Sequence, residues 1–249
     1  MAVRNKAPAP APTRGMLEIA GVARQLSGGG RRLLAAVIAA LILIAGGDGA
    51  AGRGLPGRFD YYAMALSWSP TYCASEAGRG DAQQCGRGRR YAFVLHGVWP
   101  QWQRGWPEYC DTRQPAWLAE PVLRQMLDIM PSRRLVISQW KKHGTCSGLD
   151  QQGYFELSRS LYAKVRIPDR YRSPEQPIGV APAALIADFA AANPGLEPSM
   201  ISLSCGNRRD RGRLQELRIC FDRGGAFTAC GPNEARQCRA QDLLLPPIR

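Results

Sequence analysis

Two histidines are present in the whole chain, and each sits in a segment whose neighbours suit chemistry. One lies in Phe93-Val94-Leu95-His96-Gly97-Val98-Trp99-Pro100, the other in Trp140-Lys141-Lys142-His143-Gly144-Thr145-Cys146. Imidazole is the side chain best suited to give and take protons near neutral pH. A glycine follows each histidine and lets backbone and ligand approach closely. A lone histidine is most often a satisfied core or surface residue. Two of them, in aromatic and glycine-containing segments of a basic chain, point instead to an acid and a base.

The elements that must position these residues follow from periodicity. Phe59 to Trp68 mixes aromatic and aliphatic residues and reads as a strand; so does Tyr91 to His96, with Val94 and His96 on one face. Trp117 to Met130 carries Leu118, Val122, Met126 and Ile129 at helical spacing and stops at Pro131. Leu135 to His143 is ambiguous, although Gly144 would suit a helix end. Tyr154 to Val165 and Pro182 to Ala192 read as helices, and Met200 to Cys205 and Leu214 to Phe221 as strands. The expectation is one α+β domain over residues 52–249, about 195 residues long.

Residues 1–51 stand apart. Arg31-Arg32 precedes the apolar run Leu33 to Ala45 and the small-residue stretch Gly46 to Ala51. This is a secretory signal pattern, with a cut near Ala51 and Met16 as an alternative start. The apolar run is short for a bilayer span, so a retained anchor is the second reading. The 249 residues carry a formal charge of +13, and residues 52–249 alone keep +9. That excess favours a polyanionic partner. The composition, 45% hydrophobic and 21% charged, excludes wholesale disorder, and with one apolar run the chain is not a polytopic membrane protein.

All eight cysteines (Cys73, Cys85, Cys110, Cys146, Cys205, Cys220, Cys230 and Cys238) follow the leader. An even count behind a signal segment reads as four disulfides. Many connectivities remain open. Sequence order favours Cys73–Cys85 and permits Cys220–Cys230 nested inside Cys205–Cys238. A zinc site finds little support, because no Cys-x-x-Cys pair exists and the histidines are far apart.

The two histidine segments closely resemble the active-site segments of the ribonuclease T2 family of secreted endoribonucleases. The resemblance extends to Ala65-Leu66-Ser67-Trp68-Ser69-Pro70-Thr71-Tyr72-Cys73, to Tyr109-Cys110-Asp111 and to Leu214 to Cys220, and so spans about Phe59 to the C-terminus. It implies an α+β fold with a central, largely antiparallel sheet. It implies cleavage of single-stranded RNA without a metal or other cofactor, through a 2′,3′-cyclic phosphate. By position His143 would be the general base, His96 the general acid and Lys142 the cation at phosphorus. A Cys110–Cys146 bridge would pin the second segment. Trp99 and Gln101 would serve the base of the substrate. The implied partner is RNA; DNA, which lacks the 2′-hydroxyl, would not be cut, whatever its affinity. The processed protein would be a secreted or periplasmic monomer free of the membrane.

One departure bears on rate. The family's second motif commonly begins His-Glu-Trp, where this chain has Ser138-Gln139-Trp140. In a helix, Gln139 and His143 share a face, as do Ser138 and Lys142. A carboxylate at 139 would stabilise the imidazolium of His143, which an amide cannot do. Ser138 removes a phosphate donor. The expectation is an enzyme slowed about 10–100-fold, as for loss of a supporting group. The competing readings are a non-catalytic relative that binds RNA or protein, and a cysteine hydrolase using His143 with one thiol.

Overall fold

The computed structural model describes residues 54–206, 212–234 and 238–248. The expected leader, 1–51, lies outside these residues.

A four-stranded sheet organises the rest. Its strands are β1 (Tyr61–Trp68), β2 (Phe93–Gln101), β4 (Ile201–Cys205) and β5 (Leu214–Phe221), in the order β2-β1-β5-β4. Every neighbouring pair is antiparallel. A smaller antiparallel pair joins β3 (Ile178–Val180) to β6 (Leu243–Leu245). Around the sheet lie α1 (Ser69–Ala74), α2 (Glu76–Arg79), α3 (Ala82–Cys85), α4 (Glu120–Arg124), α5 (Arg133–Lys142), α6 (Gln151–Ala163) and α7 (Pro182–Ala192). Among the described residues no helix is long and apolar enough to cross a membrane.

The period of two divides β1 between two environments. Tyr62, Met64, Leu66 and Trp68 enter the main core, with Phe93, Leu95 and Val98 of β2 and Leu217, Ile219 and Phe221 of β5. Helices close that face with Val136 and Trp140 of α5, Tyr154, Phe155 and Leu161 of α6, and Leu185 and Phe189 of α7. Each such side chain contributes about 1.5–3 kcal/mol by leaving water. The opposite face of β1 carries only small residues above Tyr61: Ala63, Ala65 and Ser67. Their size leaves room for long side chains from the flanking strands.

Two sequence expectations need correction. The helix expected over Trp117 to Met130 is only α4; turns follow it from Gln125 to Ile129. Ile129 accepts a backbone hydrogen bond from Leu95 N at 2.9 Å, which ties this segment to β2 instead of letting the helix run on. The second strand does not stop at His96 but extends to Gln101. The ambiguous stretch before His143 is helix α5, with Ser132 as N-cap and Lys141 and Lys142 in its last turn, where cations favour the carbonyl end.

The disulfides are Cys73–Cys85, Cys110–Cys146, Cys205–Cys238 and Cys220–Cys230. All eight cysteines are paired, so no thiol remains for a cysteine hydrolase.

Candidate active site

The site begins with an irregularity in β2. Ala65 faces Gly97 and Leu66 faces Leu95, so the register skips His96. This bulge re-aims the strand. Leu95 and Val98 both reach the core, while His96 and Trp99 stay on the other face. Gly97 is required there: a Cβ would lie 2.1 Å from Gln139 Oε1 and 2.7 Å from Trp99 Nε1.

Trp99 is the hub. Its ring meets the His96 ring edge-on at 5.1 Å and stacks with the His143 ring at 5.2 Å. The Arg218 guanidinium lies 4.8 Å from the same ring. Trp99 Nε1 donates to Gln139 Oε1 at 2.7 Å. Both histidines are thus brought to one indole from β2 and from the end of α5.

Their surroundings differ in sign. His96 Nδ1 lies 2.5 Å from Glu216 Oε1, with Ser67 Oγ 3.4 Å from the same nitrogen. Glu216 is in turn held by Arg218, whose Nε and Nη2 donate to its other oxygen at 3.0 and 2.8 Å. Arg218 Nη1 donates to buried Glu234 at 2.9 Å. Burial alone would raise the Glu216 pKa. The hydrogen bond and charge of His96, with the charge of Arg218, outweigh it and bring the carboxyl to about 2. Among the described residues His143 faces no such acid. It is 5% exposed, and its Nδ1 is buried without a hydrogen-bond partner among the described residues. Burial first, then the positive charges of Lys142, His96 and Arg218, bring its pKa down from 6.5 to about 3. The ring is neutral across the physiological range.

The Cys110–Cys146 bridge and a backbone bond from Tyr109 N to Lys142 O at 2.9 Å fasten the Glu108–Cys110 segment to the end of α5. Tyr109 adopts a positive φ of 49°, rare for a residue with a side chain. The result sets Glu108 Oε2 3.3 Å from Lys142 Nζ, both partly open to solvent. Among the described residues no group of three His, Cys, Asp or Glu side chains could hold a metal ion.

His96, His143, Lys142, Trp99 and Gln139 therefore come together, but two of them in unexpected parts. The Gln139 amide is bonded to Trp99, not to His143 Nδ1. Trp99 is 9% exposed and packs the two histidines, so it offers little free surface to a base. Gln101 and Ser138 are not brought in. Gln101 is buried at the end of β2 opposite Tyr61. Ser138 is exposed on α5, and its hydroxyl donates to Leu135 O of the same helix. Sequence reading missed Glu216, Arg218, Glu234, Ser67 and Glu108. A signal was available for two of these: Glu216 and Arg218 alternate with Leu217 and Ile219 on the strand.

Comparison with known proteins supplies the family and the fold. The model of the ribonuclease T2 family matches residues 59–230. A ribonuclease of Aeromonas hydrophila is 38% identical over 214 residues, covering 79% of this chain and 90% of that protein. A probable ribonuclease of Haemophilus influenzae is 30% identical over 183 residues, 69% of this chain and 61% of that protein. Among solved structures, an RNase-related protein from Calystegia sepium superposes with a TM-score of 0.61 at 22% identity, covering 77% of this chain and 98% of its own. RNase NT in complex with 5′-AMP gives 0.58 at 20% identity, covering 76% and 99%. The family match takes in both histidine segments and the whole four-stranded sheet, and the chain belongs to the ribonuclease T2 family, a family of ribonuclease enzymes.

Proposed function

We propose that this enzyme cleaves single-stranded RNA by transphosphorylation, the ribose 2′-hydroxyl attacking its own phosphorus to give a 2′,3′-cyclic phosphate. RNA supplies the nucleophile, so the protein needs a base, an acid and a cation. His143 is the base. Its ring is neutral, and with Nδ1 sealed, Nε2 is the nitrogen left to take the 2′-proton. His96 is the acid. The Glu216 carboxylate fixes its ring and balances the charge of the protonated form while Nε2 gives a proton to the departing 5′-oxygen. Lys142 stabilises the charge that grows on the phosphoryl oxygens, and Glu108 holds it nearby. The observation that carries the assignment is the contrast across Trp99: a carboxylate on one histidine, burial among cations on the other. A glutamine at 139 does not leave the site without carboxylates, since Glu216 and Glu108 supply them. The leader over 1–51 and the four disulfides support secretion or export to a periplasm, without membrane association after processing.

Purified protein in excess EDTA is expected to cut an RNA and to leave the same sequence as DNA intact, with 2′,3′-cyclic phosphate ends among the early products. Cleavage of DNA, or ends bearing 5′-phosphate from the first turnover, would overturn this mechanism.

The low His143 pKa sets the pH response. The group must be neutral to act, so the acid limb of kcat/KM is expected near pH 3 instead of near 6.5. Stability follows the same direction. Below pH 6.5 the unfolded chain binds a proton that folded His143 refuses, so folding weakens as pH falls toward 3. Glu216 adds a contribution present above 4.5 and lost as pH falls through about 2. Initial rates from pH 2.5 to 8, with circular dichroism at each pH to confirm folding, test the limb. A limb near 6.5 would show that burial and the neighbouring cations do not hold His143 at a low pKa.

A further inference from the structure

A second basic feature lies at the far end of β1 and β5. A cavity of about 570 Å³ opens there between α1, the loop from Gly86 to Tyr91, the start of β5 and the segment Pro246–Ile248. Arg87, Arg89 and Arg213 line it, and among the described residues no Asp or Glu does. Arg87 and Arg89 are exposed and form no ion pair among the described residues. Arg213 Nε is buried with no hydrogen-bond partner among the described residues. Three guanidinium groups in one lining suit an anion.

The position of this cavity relative to the catalytic pair is fixed by the strands. Ser67, beside His96 Nδ1, is two residues from Ser69, which lines the cavity. Arg213 immediately precedes β5, three residues before Glu216. Gln215 is the extra residue at a register shift, so Leu214 and Leu217 both enter the core while Arg213 and Glu216 stay on the other face. In the opposite direction along β2, Trp99 and the His143 ring stacked on it lie beyond His96. The order along the sheet is therefore cavity, His96, Trp99 with His143.

We propose that this arginine-lined cavity binds backbone phosphates of the RNA on the 3′ side of the cut. The inference rests on His96 as the acid. The group that His96 protonates is the 5′-oxygen of the departing strand, and that strand continues in the 3′ direction. The cavity lies on the His96 side, so the departing strand reaches it. Arginine forks suit phosphate, and phosphate contacts carry no base information. The cavity would favour long RNA over short fragments without adding sequence preference.

The test uses oligonucleotides with one ribose, so that the cut is fixed, lengthened separately on the 3′ or the 5′ side. For the unaltered enzyme, 3′ extension is expected to raise kcat/KM about tenfold over a dinucleotide at low salt, and 5′ extension much less. Arg87→Ala with Arg89→Ala, and separately Arg213→Gln, should remove most of that gain and leave dinucleotide cleavage unchanged, which also reports correct folding. The salt slope for the 3′-extended substrate should flatten by about 0.7 for each phosphate that the variant no longer neutralises. A gain that survives both variants, one that follows 5′ extension, or an equal loss on the dinucleotide would overturn the proposal. If the unaltered protein cuts none of these substrates, the catalytic reading fails by itself. Fluorescence anisotropy with the all-deoxy 3′-extended strand then decides the cavity: weaker binding by the variants supports it, and unchanged binding rejects it.

Discussion

His96→Ala and His143→Ala are each expected to lower kcat/KM on RNA by about 10²–10⁴-fold, the range for loss of a positioned acid or base. The double variant should fall little further than the worse single one, because groups acting in one step do not contribute additively. The leaving group separates the two roles. A nucleoside 3′-(p-nitrophenyl phosphate) releases a phenolate that needs no proton. On that substrate His96→Ala should recover most of its rate, since the acid is no longer required, whereas His143→Ala should remain slow, since the 2′-hydroxyl must still lose its proton. Recovery by His143→Ala in place of His96→Ala would exchange the assignments. Equal behaviour of both variants would show that neither histidine acts alone as acid or base. The structural basis for expecting a clean separation is that, among the described residues, a carboxylate meets the ring of His96 and none meets that of His143.

Much of this site is legible in the chain itself, and the parts that are not share one cause. His96, His143 and Lys142 announce themselves by residue type and by their neighbours. The alternation in Leu214 to Phe221 marks β5 to the residue. That same alternation makes Glu216 and Arg218 look like an ordinary solvent-facing pair. They are half-buried because Ser67 and Ala65 lie opposite them and His96 leans across, and register between strands about 150 positions apart is not a local property. The small residues Ala63, Ala65 and Ser67 were the available hint, since a strand face without bulk must be filled by its neighbours. Trp99 failed in the opposite direction. An aromatic after the first histidine suits base stacking, but its surroundings are set by α5 and β5, and they cover it. The segment Trp117 to Met130 shows why spacing can mislead. Val122 and Met126 do reach the core, as helical spacing requires, yet the backbone between them leaves the helix at Gln125. Hydrophobic period records which side chains face inward, not which carbonyl each amide finds.

Arg218 is where stability and catalysis meet, and its removal should have the largest effect on folding. It bridges Glu216 and Glu234, whose side chains are 13% and 3% exposed, and it packs on Trp99. Arg218→Ala would leave Glu234 without its ion-pair partner away from water and Glu216 with His96 alone, and breaking buried pairs of this kind costs about 3–5 kcal/mol. Arg218→Lys keeps the charge but loses the fork that spans both acids, so its loss should be intermediate. Glu216→Gln removes the charge facing His96 while keeping an acceptor. Its activity should fall about 10–100-fold, as for loss of a group that orients a catalytic residue. Because Glu216 acts through His96, that loss should nearly vanish on the p-nitrophenyl substrate, whereas a general loosening of the fold would slow both substrates alike. Urea denaturation of the three variants, with rates on both substrates, tests the network. A loss below about 1 kcal/mol for Arg218→Ala would mean that the two carboxylates find water or protons instead, and that the Glu216–Arg218–Glu234 chain is not what holds the acid in place.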